Sequence, residues 1–165
     1  MAVLGSKEWI ENSRKAYESM PELQELAKAI DLELGIRLRA EEEKGLAEDL
    51  NIILKLGGGD ISVRFASNEI ADSTPVIVTM DYETGKGMLT GKKDLTQLYM
   101  AGKIKVTKGD LMDLAKYSAQ LPKVTAAMKA IMGDTRWPDE LSPAEREAFS
   151  ESMKETFALN EIKLS

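Results

Sequence analysis

The run Gly85-Lys86-Gly87-Met88-Leu89-Thr90-Gly91-Lys92-Lys93 comes nearest, by residue type, to a reactive site, since glycines and lysines together can cradle a phosphate. Its spacing fails that chemistry. No glycine stands five residues before Gly91, and Lys93 occupies the place where a magnesium-binding Ser or Thr is required. Gly57-Gly58-Gly59 has no helix behind it and reads as a hairpin turn instead of an anion nest. Asp110 and Asp113 could form an acid–base pair, but they share a helix start, where exposed N–H groups favour carboxylates as caps. Glu41-Glu42-Glu43-Lys44 reads as a solvated turn and not as a metal site. The chain contains neither histidine nor cysteine, so Ser-His-Asp, Cys-His, His–metal and thiolate–metal sites cannot be built from it. The remaining carboxylates, lysines and tyrosines occur on every surface. No catalytic residue, metal ligand or cofactor is expected.

Composition narrows the reading further. A chain of 165 residues with 43% hydrophobic and 30% charged residues can enclose one substantial core. The net charge of −6 comes with a roughly even mixture of acidic and basic residues in which no basic block stands out, so nucleic-acid binding is not expected. The first residues, MAVLGSKEW, have neither a basic start nor an apolar core, and no apolar run approaches the length of a membrane span. The expectation is a cytoplasmic protein without stable membrane insertion.

The elements follow from periodicity. Ser6 can cap a helix whose Trp9, Ser13, Ala16 and Tyr17 recur at spacings of three and four. Pro21 suits the first turn of a second helix with Leu23, Leu26, Ala27 and Ile30 on its apolar face. From there the period becomes two, because Ile30, Leu32, Leu34, Ile36 and Leu38 alternate with polar residues or Gly35, which predicts a half-buried strand. Residues 50–56 and 61–65 read as a hairpin around 57–60, and residues 74–80 as a further strand.

Asp94 can cap a short helix carrying Leu95, Leu98 and Tyr99, which Gly102 ends. Residues 103–107 follow as a strand with Ile104 and Val106 on one face. Asp110 then caps a helix with Leu111, Leu114, Ala115 and Leu121, and Pro122 opens another with Val124, Ala127, Met128, Ile131 and Met132. The methionine-rich face of that helix reads first as core and second as the lining of an irregular apolar cavity. Residues 133–138 read as a loose connection to a last helix, which begins at the capping box Ser142-Pro143-Ala144-Glu145 and carries Phe149, Met153 and Phe157. About five strands, grouped and framed by helices, predict an α+β domain with one mainly antiparallel sheet covered by helices.

The order of motifs from Val76 to Lys116 resembles the sterol carrier protein 2 family of lipid-binding domains. That family runs through an alternating apolar strand, a short helix ending in glycine, a Gly-Lys-(Leu/Ile)-Lys-(Ile/Val) strand, a Gly-Asn or Gly-Asp turn, and a helix rich in Leu, Met and Ala. Here these are Val76-Ile77-Val78-Thr79-Met80, Leu89-Thr90-Gly91-Lys92, Met100-Ala101-Gly102-Lys103-Ile104-Lys105-Val106, Gly109-Asp110 and Leu111-Met112-Asp113-Leu114-Ala115-Lys116. The similarity covers about residues 50–118; Lys108 is an insertion, and the chain beyond Gly133 has no counterpart.

The resemblance implies a fold built around an apolar cavity and a non-catalytic carrier of a lipid-like small molecule, with sterols, fatty acids and acyl-CoA all within the family's range. Leu98, Met100, Leu111, Leu114, Met128, Ile131 and Met132 can supply the lining, and Phe149, Met153 and Phe157 a lid. Residues 1–165 would then form a single domain, with N-terminal helices at 1–29, the core of the fold at 30–133 and a C-terminal helical extension at 134–165. The alternative is a protein-interaction module, such as a homodimer, that buries the same apolar faces without a lipid.

Overall fold

The structure, a computed structural model, describes residues 1–157 and the backbone of residues 162 and 163; the rest of the expected C-terminal extension lies outside the described residues. Its body is a mixed, mainly antiparallel sheet. The strands are β2 (Leu32–Leu38), β3 (Leu50–Gly57), β4 (Asp60–Ala66), β5 (Val76–Met80) and β6 (Lys105–Lys108), in the order β6-β5-β2-β3-β4, and β8 (Ile162–Lys163) pairs along the outer edge of β4. Among the described residues only β2 and β5 run parallel, and the other pairings in this sheet are antiparallel.

The register puts all the apolar alternates on one face. Leu34 pairs with Leu54 and Val76, Ile36 with Ile52 and Val78, and Leu38 with Leu50 and Met80. A half-buried strand places its period-two apolar residues on a single side, and each such side chain, once buried, stabilises the fold by about 1.5–3 kcal/mol. Helices α1 (Lys7–Glu18), α2 (Pro21–Ala29), α4 (Tyr82–Leu89) and α7 (Leu121–Met132) supply the buried partners of that face. Ser6 caps α1 by accepting from the Trp9 N–H at 3.1 Å, and the Trp9 ring meets Phe65 of β4 edge-on at 5.3 Å. On the other face, Arg37 reaches Asn51 and Asp72, both at 2.7 Å, beside the short helix α3 (Asn68–Ala71).

Two expectations are corrected here. The helix expected from Asp110 to Leu121 is broken into α6 (Met112–Ala115) and a turn leading to α7. The Pro122 ring would collide with the Ser118 carbonyl if one helix ran through, and Tyr117 holds the turn by donating to the Asp31 carbonyl at 2.7 Å and accepting from the Asp31 N–H at 3.2 Å. The glycine-rich run at 85–93, whose spacing fails that of a phosphate loop, forms most of α4 and its C-terminal turn, where the resemblance places a short helix ending in glycine. The expected charge–turn and hairpin at 41–60 form as a 3₁₀ turn at Glu42–Lys44 followed by the β3–β4 hairpin.

Residues 133–138 are likewise not a loose connection. Strand β7 (Thr135–Arg136) pairs in parallel with β1 (Ala2–Val3), and Thr135 Oγ1 accepts from the Trp9 indole N–H at 3.1 Å. Trp137 is buried against Tyr82, ring edge to face at 6.1 Å. Tyr82 donates to Asp139 at 2.6 Å, and Lys86 reaches both oxygens of the same carboxylate at 3.0 Å. Burial and the neighbouring Asp139 carboxylate push the Tyr82 phenol up; burial alone would raise Asp139, but the hydrogen bonds from Tyr82 and Lys86 outweigh it and hold that carboxyl below its ordinary range.

Helix α8 (Pro143–Phe157) opens with the expected capping box, in which Glu145 accepts from the Ser142 N–H at 3.0 Å and Ser142 from the Glu145 N–H at 3.2 Å. Arg136 grips the same carboxylate at 2.9 and 3.3 Å, and these bonds bring Glu145 down from 4.5 to about 2. A carboxyl whose folded value is depressed stabilises the fold above its unfolded value and ceases to do so as pH falls toward the folded one. Glu145→Gln is therefore expected to flatten the fall in melting temperature between pH 4.5 and about 2. An unchanged acid limb in calorimetry would refute this.

Gly102 and Gly109 separate two demands on glycine. Both have positive φ, +73° and +81°, but a Cβ on Gly102 would meet nothing within 4 Å, whereas one on Gly109 would stand 2.6 Å from the Pro75 carbonyl oxygen. Gly102→Ala should cost only the left-handed strain, about 1 kcal/mol, and Gly109→Ala about 3 kcal/mol because a backbone atom must also move. Urea unfolding of the pair checks this, and equal costs would contradict the packing around Gly109.

Candidate functional site

Helix α5 (Leu95–Met100) starts where Asp94 accepts from the Thr96 and Gln97 N–H groups at 2.8 and 3.1 Å. It ends at Gly102, where the chain turns back into β6. After Gly109, Asp110 accepts from the Met112 N–H at 3.0 Å, a turn contact one residue before the N-cap of α6, which is Leu111 and not the expected Asp110, and Asp113 accepts in turn from the Asp110 N–H at 3.4 Å. The two short helices stand apart, with the end of the sheet between them.

A cavity of about 260 Å³ lies in that gap. Val78 and Val106, partners across β5 and β6, form its floor; Leu95, Tyr99 and Met100 of α5 form one wall, and Leu111 and Leu114 the other. Among the described residues, Thr96, Ser118 and the Tyr99 hydroxyl are its polar lining groups, all on exposed residues, and none of them is charged. Two smaller voids of about 20 and 40 Å³ continue over the apolar face of the sheet. Leu95 and Leu121 are shared between the first cavity and the 20 Å³ void, and Ile36, Leu54 and Met128 between the two voids.

The seven residues expected to line a cavity do not all meet. Met100, Leu111 and Leu114 line the large cavity, while Met128, Ile131 and Met132 line the 40 Å³ void about the middle of the sheet. Leu98 is buried in the main core and lines none of these spaces. The floor residues Val78 and Val106 and the wall residues Tyr99 and Ala115 were missed. For Val106 a signal existed, because Ile104 and Val106 share one face of their strand and both border the cavity.

Phe149, Met153 and Phe157 lie elsewhere. With Leu46 and Leu50 they border a second cavity, also about 260 Å³, between α8 and the loop before β3. Its rim carries Glu48, Asp49 and Lys154. Volume does not separate the two cavities; lining does, because the space between α5 and α6 is almost wholly apolar and continues into further voids. Among the described residues no three acidic side chains come together to hold a metal ion, and no helix is long and apolar enough to cross a membrane.

A conserved hypothetical protein from Thermus thermophilus, described as a candidate sterol carrier protein, superposes on this fold with a TM-score of 0.66 at 15% identity, over 86% of this chain and 96% of its own. The crystal structure of a sterol carrier protein 2 superposes with a TM-score of 0.63 at 16% identity, over 76% of this chain and 97% of its own. At such identities the likeness is one of fold. No curated protein matches the chain in sequence. The model of the SCP-2 sterol transfer family does match, over residues 12–122, which include strands β2 to β6, α5, α6 and the cavity between them, and the chain belongs to that family.

Proposed function

We propose that this chain binds and carries a hydrophobic ligand, without changing it chemically, in the cavity between α5 and α6. The observation that supports this most is an apolar space of about 260 Å³, with no charged lining residue, in a member of a sterol-transfer family. That volume is just below the usual range for small-ligand sites, about 300–1,000 Å³. The adjoining voids extend it once flexible side chains such as Met128 move. A slender acyl chain can enter such a line of voids in stages, whereas a rigid sterol needs the whole width at once. The reading therefore favours fatty acyl ligands, with a charged head group left in water at the mouth.

Burying about a dozen CH₂ groups offers up to roughly 10 kcal/mol before association costs, enough for micromolar binding. The proposed carrier works as one domain in the cytoplasm, and residues 134–165 form a C-terminal extension whose helix closes the second cavity beside β3. Titration with a fluorescent fatty acid and a fluorescent sterol tests the proposal. Saturable, micromolar uptake of the fatty acid, with weaker uptake of the sterol, is expected. If neither probe binds, the carrier reading fails.

A further inference from the structure

Apart from Met1, the large apolar residues exposed among the described residues are Tyr99, Met100, Leu111 and Met112. Tyr99, Met100 and Leu111 line the cavity and Met112 follows Leu111 at the start of α6, with Met100 79% and Met112 66% exposed. Single exposed methionines need no explanation, but a cluster on one rim does.

The stretch of sequence that carries this rim is also basic. The even mixture expected along the sequence is corrected by counting: residues 92–129 hold eight lysines, no arginine and three aspartates, a charge of +5 in a chain of −6, so the remainder carries −11. Lys103 and Lys105 flank the lining residue Ile104, and Lys116 follows the lining residue Ala115. All three are exposed, and none is within ion-pairing distance of a carboxylate among the described residues.

We propose that this rim docks the cavity mouth onto an anionic lipid bilayer, the four apolar side chains entering the interface and the lysines contacting acidic head groups. Long lysine stems lie along apolar surface while their ammonium groups reach outward, and tyrosine suits the boundary between head groups and acyl chains. The acidic remainder of the chain is repelled by such a surface, so charge alone orients the molecule mouth-down. Helix α5 is only six residues long, so the contact is a shallow tip and not a span. A ligand would pass between membrane and cavity without crossing water.

The test is flotation of the full chain with vesicles of phosphatidylcholine alone or with about 30 mol % phosphatidylserine, at low salt and at about 0.5 M NaCl, where screening shortens to a few Å. It needs no cavity ligand, so its failure would leave the carrier reading standing. Each lysine near an anionic surface is worth about fivefold in affinity. Binding is expected to the acidic vesicles, and to weaken at least tenfold, on the order of two lysine contacts, in high salt, without phosphatidylserine, and in both Lys103→Glu/Lys105→Glu and Met100→Glu/Met112→Glu. These side chains are exposed, so melting temperatures should hold. No binding to acidic vesicles, equal binding to both vesicle types, or binding that neither double variant weakens would overturn the proposal. So would a dimer that Met100→Glu/Met112→Glu dissolves in a chain that ignores vesicles, since the rim would then belong to a second copy.

Discussion

Ala115→Trp is expected to weaken the uptake of a fluorescent fatty acid about a hundredfold while leaving the melting temperature within a few degrees of the parent's. Ala115 is exposed yet borders the cavity between α5 and α6, so a larger side chain there has open apolar space to enter and displaces nothing in the core. An indole in that space takes the place of about four CH₂ groups of a bound chain. At about 0.8 kcal/mol each that is about 3 kcal/mol, or two decades in affinity. Core substitutions such as Leu114→Ala would confuse binding with stability, because Leu114 belongs to the main apolar cluster. Unaltered affinity in Ala115→Trp, with the fold intact, would move the ligand out of this cavity, and the space beneath Phe149 and Met153 would be next to test.

The second large effect concerns stability. Trp137→Ala is expected to cost about 3–5 kcal/mol, the usual loss when a buried tryptophan is cut to alanine. Trp137 is 1% exposed, and the residues on either side of it are tied to β1, Tyr82, Lys86 and Glu145. For a chain of this length each kcal/mol lowers the melting temperature by about 2–4 °C, so a fall on the order of 10 °C should be seen. A loose connection would tolerate the change within about 0.5 kcal/mol. Trp137→Phe should be much milder than Trp9→Phe. The Trp137 indole N–H has no hydrogen-bond partner among the described residues, whereas Trp9 donates to Thr135. A buried donor left unpaired already costs about 1–3 kcal/mol, and phenylalanine removes it.

The sheet was legible in the sequence because its strands alternate cleanly: Leu32 to Leu38 and Leu50 to Leu56 present one apolar face, and the register follows from it. Of helix α4 only the glycine-terminated end at Leu89 to Gly91 was legible, through the resemblance, because Gly85 and Gly87 lower the helical propensity of the rest. Gly85 is there for packing, since a Cβ on it would stand 2.5 Å from the Leu38 side chain. The β1–β7 pairing joins residues 2 and 3 to 135 and 136, and two residues per strand leave no periodicity to read. Individual cavity residues were the hardest to find. Leu98 and Leu95 share a helix and a chemistry, and only the placement of α5 against β6 decides that Leu95 faces open space while Leu98 fills the core. The lysine-rich composition of residues 92–129 was countable from the start, but it gains meaning only where Tyr99, Met100, Leu111 and Met112 gather in space.

Native mass spectrometry of the protein as purified from cells, followed by organic extraction, tests the central claim most directly when the parent and Ala115→Trp are compared side by side. The account predicts a stoichiometric hydrophobic ligand, with an acyl chain, retained by the parent and lost from Ala115→Trp. A parent that emerges free of any ligand and takes up no fatty acid on reconstitution, or a ligand held equally by both proteins, would contradict it.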